Sequence, residues 1–235
     1  MKMKHYLRNS LLDALGAAKH QGTGSSFFEN TRKPEGAGGR LMVSMMNIGH
    51  RALARWGLHF LQLPGGRVLE CACGTGLLSG VIAARCESLI ATDFSEKMLR
   101  RARKKYGKLP NVKFEQGNIL QLDYPDESFD AVAAANVIHL LDEPLKALGE
   151  LERVCRPRGR IIIPTYMNQT DKGTTNNVSG AIGRAGADFK REFTLATYRQ
   201  FFAGAGYPDA RYTLCPGRIP CAVAVLRKGE KEHAR

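Results

Sequence analysis

The apolar and polar positions of this chain follow two alternating periods. Strand-length apolar runs lie at 68–71, 88–92, 112–115, 129–135 and 159–165. Between them, apolar residues recur at three- and four-residue steps, which predicts amphipathic helices at 77–86, from Ser95 to a break at 107–110, and at 142–155. Strands that alternate with helices favour a doubly wound, mostly parallel α/β sheet, in which ligands bind beyond the carboxyl ends of the strands.

Two patterns after strand five depart from this alternation. Residues 166–192 contain several glycines and polar side chains directly after a strand end, which predicts an insertion that acts as a substrate lid. Thr194 then precedes a further helix, and apolar runs at 210–214 and 219–226 predict an antiparallel closing hairpin. The hairpin brings the expected sheet to seven strands.

The whole chain, 1–235, is predicted to form one domain, because its length and 43% hydrophobic content suit a single substantial core. We expect an arm at 1–40, a helical cap at 41–64, the core at 65–227 and a tail at 228–235. No run of about eighteen apolar residues predicts a membrane span, and no signal-peptide core develops near the first residues. We therefore expect a cytoplasmic protein.

The segment from Glu70 to Gly76 is the most informative part of the sequence. It places a loop of small residues between a strand and a helix, and Asp93 follows the next strand. Such a loop lets backbone approach a nucleotide-like ligand, and an acid at that spacing can bind a ribose. Leu77 stands where a dinucleotide loop has its third glycine, and Glu70 would repel a pyrophosphate but could hold a cationic amino acid.

This pattern resembles motif I of the class I S-adenosylmethionine-dependent methyltransferases, which is an apolar pair, an acid and then x-G-x-G-x-G. The resemblance extends over about 41–227 and implies the Rossmann-like methyltransferase fold. Ala72 departs from it, because it replaces the first glycine, and Arg158 replaces a glycine of the family's turn before strand five. We expect Arg158 to be a surface change.

The resemblance also implies a set of cofactor contacts at the strand ends. Asp93 would pair with both ribose hydroxyls, and Asn118 with Ile119 would bracket the adenine. Asn136 stands where backbone faces the methionine part of the cofactor. Met98 fits either cofactor contact or simple core, and Asp93 could instead cap the following helix. The expected cofactor-binding residues are Glu70, Ala72, Cys73, Gly74, Gly76, Asp93, Phe94, Met98, Asn118, Ile119 and Asn136.

The formal charge of +13 is concentrated in one helix. Seven cations and no acid lie between Lys97 and Lys108, so this face could meet nucleic acid or an anionic membrane surface. Apolar residues recur at helical spacing within the same segment, which favours an ordinary solvated face. Nucleic acid is therefore a possible but not a favoured partner, and oligomeric state is left open.

The six cysteines show none of the paired spacing of a zinc site, so reduced thiols and no metal are expected. Cys71 and Cys73 lie in the loop as small apolar fillers.

The implied reaction is in-line transfer of the methyl group of S-adenosyl-L-methionine to an oxygen, carbon or sulfur of a small-molecule acceptor, which leaves S-adenosyl-L-homocysteine. If the acceptor must lose a proton, His139 is the first candidate base, and Tyr166 and His50 follow. A structural role for His139 fits the sequence equally well. The alternatives are a methyltransferase acting on RNA or another macromolecule, a noncatalytic S-adenosylmethionine-binding module and, more remotely, a nucleotide-dependent oxidoreductase.

Overall fold

The computed structural model describes residues 66–167, 190–215 and 220–229. Seven strands form one sheet: β1 (Arg67–Cys71), β2 (Ser88–Asp93), β3 (Val112–Gln116), β4 (Phe129–Ala134), β5 (Cys155–Tyr166), β6 (Arg211–Cys215) and β7 (Cys221–Arg227). Within these described ranges, four α-helices accompany the strands: α1 (Ser79–Ile82), α2 (Glu96–Tyr106), α3 (Pro144–Val154) and α4 (Leu195–Gly204). Short 3-10 helices lie at Ala83–Arg85 and Ile138–Leu140.

The strand order across the sheet is β3-β2-β1-β4-β5-β7-β6. Strands β1 to β5 pair in parallel, while β7 pairs antiparallel with both β5 and β6. This confirms the predicted doubly wound sheet of seven strands and its closing hairpin. The carboxyl ends of β1 to β5 share one edge, so the side chains that follow those strands can serve one site.

Two apolar clusters cover the two faces of the sheet. Successive side chains of a strand point to opposite faces, and accordingly Leu69 belongs to the cluster that includes residues of α3 and α4, while Val68 belongs to the one that includes residues of α1 and α2. Most of these strand residues are fully buried. Burial on both faces explains why the strands are nearly continuous apolar runs rather than alternating ones.

Some predicted boundaries are wrong. The first crossover helix does not run over 77–86, because α1 covers only Ser79–Ile82 and the chain then tightens into a 3-10 turn. Strand five begins at Cys155 rather than Gly159, because the chain passes directly from α3 into β5. Arg158 takes a left-handed backbone conformation (φ +62°) within that strand. Its side chain is exposed, as expected for a surface change.

The two predicted helix caps have different outcomes. The hydroxyl of Thr194 accepts a hydrogen bond from the backbone N–H of Thr197 at 3.1 Å, which confirms the cap of α4. Ser95 does hold the N-cap position of α2, but its side chain makes no capping bond. Its backbone N–H instead donates to Asp93 Oδ1 at 2.8 Å. The predicted Ser95 cap is therefore replaced by the neighbouring carboxylate.

Several predictions fall on parts of the chain that are not described. The arm at 1–40, the helical cap at 41–64 with His50, most of the lid at 166–192 and most of the tail lie outside the described residues. The division of the chain into these segments stays a prediction. Within the described ranges, no helix is long and apolar enough to cross a membrane.

Candidate functional site

The loop after β1 is built on three left-handed backbone positions. Ala72 (φ +55°), Gly74 (φ +57°) and Gly76 (φ +77°) alternate through it. A Cβ at Gly76 would lie 3.0 Å from Tyr106 Cδ2 and 3.1 Å from Ala102 Cβ, so α2 packs directly on the loop there. A Cβ at Gly74 would meet no atom within 4 Å. Gly76 thus serves packing, while Gly74 leaves an open approach to the backbone.

Asp93, the last residue of β2, ties this loop to the start of α2. The backbone N–H of Gly74 donates to Asp93 Oδ2 at 2.8 Å, and that of Ser95 donates to Oδ1 at 2.8 Å. Burial raises the pKa of Asp93, while these two hydrogen bonds lower it. Each carboxylate oxygen accepts more than one hydrogen bond, so this capping role leaves acceptor capacity for a ligand.

Glu70 lies buried beneath the loop near the end of β1. Its Oε2 accepts a hydrogen bond from the Ser79 hydroxyl at 2.5 Å. Burial, with a smaller contribution from the charge of Asp93, raises the pKa of Glu70 to about 8, against the opposing effect of the Ser79 bond. Ser79 is not among the predicted site residues, although a serine in an otherwise apolar crossover segment is a usable signal. A cationic ligand group beside Glu70 would favour its ionised form.

Phe94 is the most exposed large apolar residue in the described part of the chain, with 66% of its surface accessible. It follows Asp93 at the end of β2, and its carbonyl accepts a hydrogen bond from Gln116 Nε2 at 3.0 Å. Met98, one turn into α2, is buried. An exposed ring beside a strand-end carboxylate is suited to cover one face of a planar ligand.

The end of β3 contributes Asn118 and Ile119. Asn118 is exposed, and its Oδ1 accepts a hydrogen bond from the backbone N–H of Leu120 at 3.0 Å. This is the arrangement expected of a turn residue. Ile119 is partly buried against the apolar cluster that contains Leu69. We refer to the residues of 70–76, 93–95 and 118–119 together as the β1–β3 end.

A second group of polar side chains lies where β4 and β5 end. Asn136 has a left-handed backbone (φ +52°), and its N–H donates to the carbonyl of Pro164 at 2.8 Å. The rings of His139 and Tyr166 stand with centroids 6.4 Å apart and planes at 65°. The structure therefore brings the two predicted acid–base candidates together. We refer to Asn136, His139 and Tyr166 as the β4–β5 end.

At the β4–β5 end, Tyr166 keeps its proton and His139 anchors a neighbouring segment through its backbone carbonyl. Burial raises the pKa of Tyr166 well above 10, so its phenol keeps its proton at neutral pH. The carbonyl of His139 accepts backbone hydrogen bonds from Lys190 at 3.1 Å and from Arg191 at 3.3 Å. The segment that begins at Lys190 is thereby anchored beside His139.

The cysteines of the loop are poor nucleophiles. Cys71 and Cys73 are buried, and burial raises the pKa of Cys71 to about 12 and that of Cys73 further. Both thiols therefore stay protonated, as expected of apolar fillers. Within the described ranges, no three His, Cys, Asp or Glu side chains come together in a group that could hold a metal ion.

The basic helix α2 shows its charges to solvent. Met98, Leu99 and Ala102 are buried, while Lys97, Arg100 and the run from Arg103 to Lys105 are exposed. Arg103 bonds Glu96 Oε1 at 2.6 Å and the carbonyl of Phe114 at 3.1 Å. The helix thus has the amphipathic arrangement of a solvated outer face.

Residues 69–163 match the family described as the methyltransferase domain. Over 123 residues the chain is 37% identical to the phosphatidylethanolamine N-methyltransferase of Cereibacter sphaeroides, a match that covers 51% of this chain and 60% of that protein. Over 122 residues it is 40% identical to the demethylmenaquinone methyltransferase of Clavibacter sepedonicus, which covers 51% and 50%. The matches thus span between half and three fifths of these relatives.

Solved structures share the fold. An S-adenosylmethionine-dependent methyltransferase from Thermotoga maritima, described as a possible histamine N-methyltransferase, superposes with a TM-score of 0.63 at 22% identity, over 80% of this chain and 95% of that one. Such a likeness at low identity establishes the fold alone. Together, the family match over 69–163, the strand order and the structural likeness identify this part of the chain as a methyltransferase domain with a Rossmann-like methyltransferase fold.

Proposed function

We propose that this protein transfers the methyl group of S-adenosylmethionine to an oxygen, carbon or sulfur atom of a small-molecule acceptor. The observation that carries the proposal is the contact between Gly74 N–H and Asp93, which fixes an open backbone turn beside a strand-end carboxylate. The family match and the names of the relatives support the reaction class.

The β1–β3 end fits the proposed cofactor. The loop residues Ala72, Cys73, Gly74 and Gly76 form the turn that the cofactor would approach, since a Cβ at Gly74 would reach no protein atom. Asp93 has the acceptor capacity to bind two ribose hydroxyls. Phe94 is exposed beside it and would cover the adenine, with Ile119 and Asn118 at the far side and buried Met98 beneath.

Glu70 and the backbone turn at Asn136, without its side chain, would hold the amino-acid part of the cofactor. The carboxyl group of Glu70 is shielded from water, and its Oε2 accepts the hydrogen bond from the Ser79 hydroxyl. A ligand ammonium would compensate the cost of its ionisation. The fixed backbone turn at Asn136 lies one strand away, beyond β4, which pairs directly with β1.

Transfer needs alignment more than acid–base chemistry. When bound, S-adenosylmethionine would supply an electrophilic methyl group, which would pass to the acceptor while the electron pair of the S–CH₃ bond stays on sulfur. The β4–β5 end would orient the acceptor and exclude water from it. His139 is placed to accept a proton from a protonated acceptor, while Tyr166 would act as a hydrogen-bond donor because its phenol stays neutral.

Calorimetric titration with S-adenosylmethionine, S-adenosylhomocysteine and NAD tests the cofactor class. We expect the two sulfur compounds to bind and NAD not to, because Glu70 and Leu77 disfavour a pyrophosphate at the loop. Preferential binding of NAD would overturn the proposal. Binding without transfer to any member of a panel of thiols, phenols, amines and carboxylates would instead support a noncatalytic binding module.

The role of His139 has its own test. A His139→Ala variant should bind S-adenosylhomocysteine as wild type does, and should lose about a hundredfold in turnover on an accepted substrate that must be deprotonated. Unchanged turnover would leave His139 with the structural role that its carbonyl contacts already support.

A macromolecular acceptor such as RNA is the second candidate, and the exposed cations of α2 are the observation that favours it. Purification at low and high salt, followed by the ratio of absorbance at 260 and 280 nm, reports whether nucleic acid copurifies in the salt-dependent way that phosphate contacts require. We further propose that the protein acts in the cytoplasm, which the six free thiols support.

A further inference from the structure

The side chain of Asn136 is polar, buried and without a hydrogen-bond partner in the described part of the chain. Only 7% of the residue is exposed, and both Oδ1 and Nδ2 lack a partner there. Buried polar groups in folded proteins are nearly always hydrogen-bonded. An amide left unsatisfied at the mouth of a sheet therefore points to a ligand that completes it.

The backbone of Asn136 has a structural role that does not involve its side chain. The backbone N–H is bonded to Pro164 of β5, which fixes the turn. Its φ of +52° is a conformation that asparagine tolerates better than most residues and that glycine adopts freely. The turn needs a residue of this kind, but it does not need the amide.

The neighbouring strands give the direction of the ligand. Asn136 stands two residues beyond Ala134, which pairs with Cys71 at the end of β1, and it also bonds β5. It therefore lies between the loop proposed to hold the cofactor and the strand end that carries Tyr166. On the proposed function, the transferred methyl group and the acceptor atom would meet there.

The charges around the β4–β5 end indicate an uncharged ligand group. Of the described cations there, Lys190 Nζ lies 3.2 Å from Asp142 Oδ1, and a guanidinium nitrogen of Arg191 donates to the carbonyl of Leu141 at 2.6 Å. Both are engaged by the protein itself. A charged acceptor group beside Asn136 would lose its hydration without gaining a counter-ion from them.

We propose that the side-chain amide of Asn136 binds a neutral hydroxyl group of the methyl acceptor. The amide offers an acceptor at Oδ1 and donors at Nδ2. A hydroxyl group matches both, because its O–H can donate to Oδ1 while its oxygen accepts from Nδ2. Asn136 is then a residue that determines acceptor specificity, and the inference rests on the proposed methyltransferase function.

The test compares matched probe pairs that differ by one O-methyl group: phenol with anisole, 2-naphthol with 2-methoxynaphthalene, and benzyl alcohol with benzyl methyl ether. Their binding is measured by calorimetry or ligand-observed NMR with S-adenosylhomocysteine present. We expect wild type to prefer the hydroxyl member of at least one pair by about tenfold, the size of one to two net hydrogen bonds. Asn136→Gly, which keeps the left-handed turn, should lose that preference.

A second variant guards against a folding defect. Asn136→Asp keeps the turn preference and an acceptor oxygen for the O–H of the probe but loses the Nδ2 donor. It should therefore still prefer the hydroxyl member, because a methyl ether has no proton to donate. Both variants should keep wild-type affinity for S-adenosylhomocysteine within about twofold. The inference is overturned if no pair shows a hydroxyl preference, if the preference survives in Asn136→Gly, or if the variants weaken S-adenosylhomocysteine instead. Failure of wild type to bind S-adenosylhomocysteine overturns the proposed function itself.

Discussion

The two ends of the site are built differently. At the β1–β3 end, the chain satisfies its own polar groups: Gly74 and Ser95 donate to Asp93, and Ser79 donates to Glu70. At the β4–β5 end, the amide of Asn136 finds no partner in the described chain. The β1–β3 end is pre-organised by backbone geometry, whereas the β4–β5 end has an unused donor and acceptor, on the Asn136 amide, that a ligand could bind.

This difference fits the proposed division of the site into a cofactor end and an acceptor end. A cofactor that all members of a family share can be bound by a fixed backbone turn, because the structure of the ligand does not vary. An acceptor that varies between relatives is better recognised by side chains that change without disturbing the fold. Substitutions at the β1–β3 end should therefore affect stability and cofactor affinity together, and those at the β4–β5 end should affect the acceptor alone.

Among substitutions compared at one pH, the largest effect on stability is expected from Gly76→Ala. The added Cβ would press on Tyr106 and Ala102, and the left-handed backbone would be strained, so we expect the free energy of unfolding to fall by about 3 kcal/mol. Gly74→Ala is the matched control, because its Cβ meets no protein atom and only the backbone term of about 1 kcal/mol remains. Urea unfolding measures both.

Equal losses of unfolding free energy in the two variants would contradict the different roles of Gly76, which packs against α2, and Gly74, which leaves the backbone open. Gly74→Ala should nevertheless weaken S-adenosylhomocysteine in calorimetry, because its methyl group projects into the space left for the ligand.

The second largest effect is expected from Asp93→Ala, with about a hundredfold weaker binding of S-adenosylhomocysteine. The variant removes the proposed ribose contacts and also releases the N–H groups of Gly74 and Ser95. Asp93→Asn should lose less, about tenfold, since its one carbonyl oxygen can still serve one of the two backbone donors. Alanine at the exposed Asp123 is the control and should bind as wild type does.

Unchanged affinity in Asp93→Ala would mean that this carboxylate only caps α2. Weakened binding of S-adenosylhomocysteine in His139→Ala would also contradict the distinction between the two ends, because it would show that the β4–β5 end affects cofactor affinity.

The fold and the loop were predictable from the sequence for a physical reason. Strand and helix periods and the small residues of 70–76 are local signals, and backbone geometry depends directly on them. The bond between Ser79 and Glu70, nine residues apart, and the replacement of the Ser95 cap by Asp93 depend on how α1 and α2 pack. Hydrophobic periodicity does not predict these side-chain hydrogen bonds, and it does not predict that the amide of Asn136 is unsatisfied.

The free energy of unfolding should depend on pH through Glu70, which belongs to the β1–β3 end. Burial raises its pKa to about 8 in the folded chain from an ordinary value of 4.5. The folded state then holds a proton that the unfolded state has lost, so the free energy of unfolding falls as pH rises from 4.5 to 8, by at most about 1.4 kcal/mol per pH unit. Glu70→Gln should lack this component, which the difference between the two proteins isolates in urea unfolding.

Ligand binding should reverse the effect. A cofactor ammonium favours ionised Glu70, so binding of S-adenosylhomocysteine below pH 8 should release protons from wild type in excess of Glu70→Gln, seen as a dependence of the heat on the buffer. Parallel stability curves for the two proteins would show that Glu70 is ionised throughout.

The smallest effect concerns the two residues that stand where the family pattern has glycine. Ala72 and Arg158 both have left-handed backbones, which explains the glycine preference. Replacing either by glycine removes about 1 kcal/mol of strain but adds freedom to the unfolded chain, so we expect a net gain of about 0.5 kcal/mol in each. Arg158 is exposed in β5, away from the loop, and Arg158→Gly should leave S-adenosylhomocysteine affinity unchanged. A tighter complex in Ala72→Gly alone would show that relaxing the pre-organised end acts on the cofactor, whereas equal affinities would confine the strain at Ala72 to stability.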